Sequence, residues 1–416
     1  MKSEKLLEEI GLIDDLYIAE ADTAINLNPA GRSWLRWVGA AAALLVVAVA
    51  GTLLLFRQSA DNLDLPMLTI GANTPTLISK GMMLRAFDVS ELKSGNPWTE
   101  DANLKTLPVF KNTTVIDEAT STANGLSEYE MVQRAENAAA SLGLTIESFH
   151  SLPERNPDTP LFSVLACCEN IQISVDVFGI IQIIFPDTYG NDRSVTLPEE
   201  YTFMSGFGWD ASELPVSEQR AYISSRIRLG QQDVQDATLY LLGQYADFVD
   251  MTSPAFAFSN IYGIAGSLFG MYSHSAYEDS GSLTQRMLNY SFNTVTFLPG
   301  MNNELRGIDR RNEDLSQRLG NYPIISVDEA RELLLQKRCF ATVEAEVPRE
   351  EYIASVELIY YTFQFCEMYM PYYKFLVEMP EEEQENGFKA FGTYFVPAVS
   401  EQYITDMPLW DGVYNR

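Results

Sequence analysis

An uninterrupted apolar segment near the amino terminus constrains this chain more than any other feature. Residues 38–56 read VGAAAALLVVAVAGTLLLF and contain no charged side chain. A helix rises about 1.5 Å per residue, so this segment is long enough to span the roughly 30 Å hydrocarbon core of a bilayer. The apolar residues continue past a small-residue motif ending at Ala50, which disfavours a cleaved signal peptide. The sequence therefore predicts a single transmembrane helix at 38–56.

The residues that flank this segment predict its orientation. Arg32 and Arg36 precede it, whereas acidic residues follow Arg57 on the other side. Cytoplasmic flanks carry the excess of Lys and Arg, and tryptophans anchor helices at the membrane interface. We therefore expect the amino terminus in the cytoplasm, the bulk of the chain outside the cell, and Trp34 and Trp37 at the membrane interface.

Residues 1–37 contain an amphipathic pattern. Ile10, Ile13, Tyr17 and Ala21 recur at spacings of three and four, which places them on one helical face. A helix this short is marginal in water, so its apolar face needs a cover. Two covers fit the pattern: the membrane surface, or a cytoplasmic regulatory protein that binds these four residues.

A family resemblance starts in this segment. Residues 10–21 read IGLIDDLYIAEA, and arginines, tryptophans and one apolar span follow. This leader resembles the start of uncharacterised single-pass membrane proteins of Clostridia-type Gram-positive bacteria, some of which resemble anti-sigma-factor regulators. The resemblance implies a signalling role, but residues 1–37 lack the His and Cys of zinc-type anti-sigma domains. It extends to four later stretches, at residues 96–101, 107–112, 322–326 and 394–399.

Charge and cysteine content exclude some partners and folds. The chain has 28 Lys and Arg against 57 Asp and Glu, a net charge of −29. Such a surface repels nucleic-acid backbones, so we expect no nucleic-acid binding. Four cysteines are too few for a disulfide scaffold in a chain this long. Cys167 and Cys168 are expected in or near the core, while Cys339 and Cys366 either close one bridge or stay apart.

Two capping boxes organise the rest of the chain. Ser127 with Glu130, and Ser326 with Glu329, each predict a helix start, and strand-like runs follow both helices. This order resembles small PepSY-type modules. After a spacer at 57–64, we therefore predict an α+β fold of antiparallel sheets with packed helices, in two extracellular units at 65–210 and 211–416.

Strand and helix patterns fill in these units. A third helix is predicted across residues 234–248, and aromatic strands are predicted from 256 to 277, with a turn in the glycine-containing stretch 263–270. The remaining predicted strands are at 82–89, 161–167, 171–178, 180–185, 341–347, 352–363, 370–378 and 388–396.

Motifs of the common enzyme chemistries are absent from the sequence. The chain has two histidines, and neither lies in a recognisable site: His150 borders a loop, and His274 is expected on a half-exposed strand. The acidic run at 381–385 is read as a turn between strands, with a calcium site as the alternative. We therefore predict a non-enzyme with no cofactor and no metal site, although carboxylate-based hydrolysis stays open as an alternative.

Aromatic residues are dense between 352 and 373. Core packing is favoured for them, and an outward platform for peptides or glycans is the alternative. Together these features predict a membrane-anchored regulator that senses or binds a peptide, protein or glycan outside the cell. A structural or wall-binding surface module is the alternative.

Overall fold

A computed structural model describes most of the chain after residue 64. The described residues are 65–70, 83–117, 122–123, 125–152, 162–185, 195–203, 206–209, 214–265, 267–300, 303–347, 349–362, 366–383 and 387–412. The predicted cytoplasmic segment, transmembrane helix and spacer lie outside them. Within the described part, no helix combines the length and apolarity needed to cross a membrane. Residues 64–416 form one compact unit.

Three of the described α-helices start after a capping serine: Ser127, Ser282 and Ser326. Helix α1 begins after Ser127, whose hydroxyl accepts a hydrogen bond from the Glu130 N–H at 3.3 Å. The Glu130 carboxylate accepts from the Ser127 N–H at 2.8 Å, so both halves of the capping box are made. The helices are α1 (Glu128–Ser141), α2 (Val216–Gln244), α3 (Ala246–Val249), α4 (Leu283–Phe292) and α5 (Val327–Leu335), with short 3-10 helices at Val89–Leu92, Glu350–Tyr352, Pro380–Glu382 and Glu401–Tyr403.

Most strands are short and pair antiparallel with their neighbours. They are β1 (Leu84–Ala86), β2 (Thr106–Lys111), β3 (Ile116–Asp117), β4 (Thr122–Ala123), β5 (Ser148–Leu152), β6 (Ser163–Cys168), β7 (Ile171–Asp176), β8 (Ile181–Ile184), β9 (Val195–Thr196), β10 (Gly206–Trp209), β11 (Pro254–Ala265), β12 (Ser267–Glu278), β13 (Asn293–Pro299), β14 (Glu304–Asn312), β15 (Arg318–Pro323), β16 (Phe340–Ala341), β17 (Ile353–Tyr360), β18 (Met368–Tyr369), β19 (Pro371–Glu378) and β20 (Lys389–Pro397).

The larger sheet has ten strands. Its order is β10-β12-β13-β14-β8-β7-β6-β5, with β11 added to β12 and β9 added to β14. Helices α1 and α2 pack on this sheet and close a core over it. In α1 the buried residues recur at helical spacing and so lie on one face, which packs against this core. The buried α1 residues are Met131, Ala135, Ala138 and Ala139.

A second sheet, β1-β20-β19-β17 with β16 on β20, carries the carboxyl-terminal strands. Nearly every residue of β19 and β20 is buried, because side chains on both faces of these strands pack into cores. A smaller sheet, β15-β2-β18, and the β3-β4 hairpin complete the described sheets. Helix α5 contacts β20, and its capping box at Ser326 and Glu329 is also fully made.

The predicted α+β class with antiparallel sheets and packed helices is confirmed. Strands of each larger sheet nevertheless come from both sides of the predicted boundary at residue 210. Strand β8 pairs with β14, and β1 pairs with β20. Register between strands far apart in the chain depends on tertiary packing, which the local pattern does not encode.

Several local predictions are confirmed and others need correction. The aromatic strands from 256 to 277 form the β11-β12 hairpin, and Ala265 pairs with Ser267 around the predicted turn. The acidic run at 381–385 begins in the connection between β19 and β20. The strands predicted at 82–89 and 341–347 are only three and two residues long. Core packing was favoured for the aromatic residues between 352 and 373. It is confirmed for four of the described tyrosines in this range, which are buried: Tyr360, Tyr369, Tyr372 and Tyr373.

His274 is not half-exposed as expected. It retains 2% of its accessible surface, on β12. Its ring lies edge-on to those of Phe256 and Phe258, with centroids 6.1 and 4.5 Å away. The strand pattern alone did not reveal this burial, because it depends on contacts with other segments of the chain.

Candidate ligand-binding site

A cavity of about 250 Å³ opens on the helical face of the larger sheet. Helix α1 supplies Arg134 to it, and strand β14 supplies Arg310. Phe248 of α3 and Ile181 of β8 form further parts of the lining. We call this cavity the two-arginine pocket.

Arg134 is positioned by the turn between β7 and β8. One of its terminal nitrogens, Nη1, donates to the carbonyl of Gly179 at 3.1 Å. Gly179 is buried with a φ of +84°, in the left-handed region that glycine adopts without strain. A guanidinium carries five N–H donors, so this single bond leaves most of the Arg134 donors for other acceptors.

The same turn is held by a half-buried carboxylate. The side chain of Asp176 accepts hydrogen bonds from the N–H groups of Phe178 and Ile180, at 3.0 and 2.9 Å. Burial raises the pKa of the Asp176 carboxyl to about 6, although these N–H donors act to lower it. A raised carboxyl pKa is one mark of a catalytic acid. Here the contacts of Asp176 give it a structural role in the turn that positions Arg134.

Arg310 is held by contacts with Phe248 of α3. It donates to the carbonyl of Phe248, and its guanidinium carbon lies 5.5 Å from the centroid of the Phe248 ring. Its buried Nε has no hydrogen-bond partner among the described residues. Burial lowers the pKa of Arg310, partly offset by Asp250, yet an arginine side chain stays charged. The pocket therefore contains a positive group with donor capacity to spare.

The remaining lining residues combine amide groups with apolar surface. Asn137 and Asn312 contribute side-chain amides, whereas Ala138 and Ile181 contribute apolar atoms. The lining has no Asp or Glu, in a chain where acids outnumber bases two to one. The charged groups of the lining itself are therefore both positive, with the carboxylates of Glu130 and Asp250 nearby but outside the lining.

A second cavity, of about 380 Å³, lies at the start of α5 and is called the α5 cavity here. Trp98 and Tyr373 line it with their rings 6.0 Å apart in an edge-to-face arrangement. Arg331 binds Glu100 at 2.7 Å and Asp328 at 3.1 Å beside it. Two of the four stretches that extend the family resemblance, residues 96–101 and 322–326, border this cavity.

Other predicted groups do not assemble into a site. His150 lies on exposed strand β5, and both ring nitrogens of His274 lack partners among the described residues. Burial lowers the pKa of His274 to about 4, so its ring is neutral at pH 7. Burial raises the pKa of the Cys339 thiol to about 12. In the described ranges, no group of three His, Cys, Asp or Glu side chains is arranged to hold a metal ion.

The predicted partner and membrane contacts lie outside the described residues, so they stay predictions. These residues are Ile10, Ile13, Tyr17, Ala21, Trp34 and Trp37. Sequence reasoning did not find Arg134 or Arg310. The available signal was weak: Arg134 directly precedes the buried Ala135 of α1, and Arg310 lies two residues after the buried Ile308 on β14.

No protein-family model matches the chain, and no curated protein matches it.

Proposed function

We propose that this chain is a membrane-anchored regulator whose folded unit, residues 64–416, lies outside the cell and senses a small anionic ligand. One observation carries the proposal: Arg134 and Arg310 line the same cavity, and no carboxylate lines it with them. Planar guanidinium groups match carboxylate and phosphate oxygens and bind them with charge-assisted hydrogen bonds.

The negative charge of the whole chain restricts the places on its surface where an anion can bind. A net charge of −29 lowers the local concentration of anions over most of the surface. Anions that do bind need a local positive potential, and the two-arginine pocket supplies one. The sensing prediction from the sequence is thereby narrowed from a peptide, protein or glycan to a small anion.

Signalling across the membrane completes the proposal. The apolar segment at 38–56 anchors the chain, and the amphipathic segment before it contacts a cytoplasmic regulator, in the manner of an anti-sigma factor. The helix-then-strand order after Ser127 and again after Ser326 supports two PepSY-like modules within the folded unit.

Anion binding is tested by calorimetric titration of the full-length chain with acetate, benzoate, sulfate and inorganic phosphate. We expect at least one anion to bind, and Arg134→Gln to weaken its binding about tenfold or more, since a hydrogen bond to a charged group contributes about 1.5–3 kcal/mol. Arg331→Gln is the matched control, because Arg331 is bound to acids beside the other cavity. Absence of binding by every anion would remove the proposal.

The cytoplasmic contact is tested by comparing Ile13→Ala with Glu9→Ala. Burial of an isoleucine against a partner contributes roughly 1.5–3 kcal/mol, so Ile13→Ala is expected to weaken partner binding about tenfold or more. Exposed charges contribute about 0–1 kcal/mol, so Glu9→Ala is expected to do much less. Binding to the candidate regulator, or its reporter output, is the measurement. Equal effects, or a larger effect of Glu9→Ala, would assign the segment to the membrane surface.

A further inference from the structure

The two-arginine pocket has an apolar side as well as a charged one. Ala138, Ile181 and Phe248 line it beside the two arginines. Ala138 and Phe248 are both buried in the core over the larger sheet. Because Ala138 and Phe248 keep only 4% and 1% of their accessible surface, the partly exposed Ile181 offers most of the apolar contact that these three residues make available to a ligand.

The presence of both charged and apolar groups in one pocket discriminates between classes of anion. Phosphate and sulfate carry charged oxygens on every side, so some of these oxygens would face the apolar lining without donors, which is unfavourable. A carboxylate has two oxygens on one end only. It can direct both oxygens to Arg134 and Arg310 while the rest of the molecule lies against Ile181.

The volume of the pocket limits the size of the apolar body that the ligand carries besides its carboxylate. An apolar cavity of about 150 Å³ is enough to hold benzene. The two-arginine pocket is about 250 Å³, which leaves room for a carboxylate beside a body of that size. The amides of Asn137 and Asn312 add donors and acceptors for one further polar substituent.

We infer that the two-arginine pocket binds a small organic monocarboxylate with an apolar body of about six to eight carbons. The inference rests on the proposed function, since it names the class of anion that is sensed. Arg134 and Arg310 bind the carboxylate, and the apolar body lies mainly against Ile181, beside the small exposed parts of Ala138 and Phe248. Arg310 is already stacked on Phe248, so its charge is fixed at the boundary between the two parts.

The test uses four probes on the full-length chain: benzoate, benzamide, acetate and inorganic phosphate. Benzamide matches the shape of benzoate without the charge, and acetate has the charge without the apolar body. We expect benzoate to bind at least tenfold more tightly than each of the other three. Calorimetry gives the affinities, and the rise in unfolding temperature at saturating benzoate checks them independently.

Variants connect this affinity to the pocket. Arg134→Gln and Arg310→Gln are each expected to weaken benzoate binding about tenfold or more, with Arg331→Gln unchanged as the control. Arg134→Lys keeps the charge but loses the planar fork, so an intermediate loss is expected. If Arg310→Gln fails to fold, the two Arg134 variants carry the test, because Arg134 is partly exposed on α1.

The outcomes separate this inference from the proposed function. Phosphate that binds as tightly as benzoate would overturn the monocarboxylate and leave anion sensing in place. Acetate as tight as benzoate would overturn the apolar body alone. Benzamide as tight as benzoate, or no binding by any probe, would overturn both the inference and the proposed function.

Discussion

The two cavities of the folded unit use arginine in opposite ways. Beside the α5 cavity, Arg331 forms ion pairs with Glu100 and Asp328. In the two-arginine pocket, Arg134 and Arg310 are held by the backbone carbonyls of Gly179 and Phe248. A carbonyl fixes a guanidinium in place but leaves its full charge.

This difference indicates what each cavity can do. An arginine bound to two carboxylates has little charge left for a ligand, so Arg331 ties a loop to α5. An arginine bound to a carbonyl keeps both its charge and several donors. Charge available to a ligand thus depends on the partner of the arginine, and the number of basic residues near a cavity is a poor guide to it.

The largest effect on this difference between the cavities is expected when Arg134 is displaced from the carbonyl of Gly179. A Cβ at Gly179 would lie 2.3 Å from Nη1 of Arg134, and Gly179 has a positive φ. Gly179→Ala is therefore expected to lower the free energy of unfolding by about 2–3 kcal/mol and to weaken anion binding. Urea denaturation and calorimetry measure the two effects.

Gly143→Ala is the control for this variant. Gly143 also has a positive φ, but a Cβ there meets no atom within 4 Å. It is expected to show the backbone strain alone, without loss of anion binding. Equal effects of both variants on anion binding would contradict the role of Gly179 in positioning Arg134.

A second variant, Asp176→Asn, tests the turn that positions Arg134 through the pH dependence of stability. The pKa of Asp176 is raised to about 6 in the folded protein, whereas it is near 4 in the unfolded chain. Asp176 therefore contributes most to the stability of the fold below about pH 4. That contribution is lost as the pH rises through about 6. Asp176→Asn keeps an acceptor without the charge, so relative to the wild type it is expected to gain about 2 kcal/mol of stability between pH 4 and pH 7. Urea denaturation across that range measures the gain, and a constant difference at every pH would contradict it.

A third variant, Asn137→Asp, places a carboxylate beside an arginine of the two-arginine pocket, as in the α5 cavity. Asn137 lies three residues after Arg134 on α1, so the two side chains are neighbours on the helix surface. Asn137→Asp would supply the carboxylate that the pocket lacks, and anion affinity is expected to fall about tenfold, or about 1.4 kcal/mol. Gln133→Glu adds the same charge to α1 outside the pocket lining and is expected to change affinity far less. Unchanged affinity in Asn137→Asp would show that pocket charge does not control binding.

The smallest expected effect lies at the α5 cavity. Glu100→Gln removes one partner of Arg331 in an exposed pair, so the free energy of unfolding is expected to fall by no more than about 1 kcal/mol. Thermal unfolding measures it, and binding of anions to the two-arginine pocket is expected to stay unchanged. A loss of several kcal/mol would show that this ion pair contributes far more than an exposed pair does.

Parts of the fold could be predicted because their causes are local. Each capping box needs only a serine and a glutamate three residues apart, and both boxes are made as predicted at Ser127 and Ser326. The two-arginine pocket could not be found this way. Arg134 and Arg310 are separated by 175 intervening residues and are brought together by the packing of α1 on the larger sheet.

Sequence alone determined the α+β class and the capped starts of α1 and α5, because residues within one or two turns cause them. Tertiary structure decided which strands pair, how deeply His274 is buried and which arginines share a cavity. Burial and charge pairing are properties of contacts between distant segments. A side chain therefore has no defined exposure or electrostatic partner until those segments have packed together.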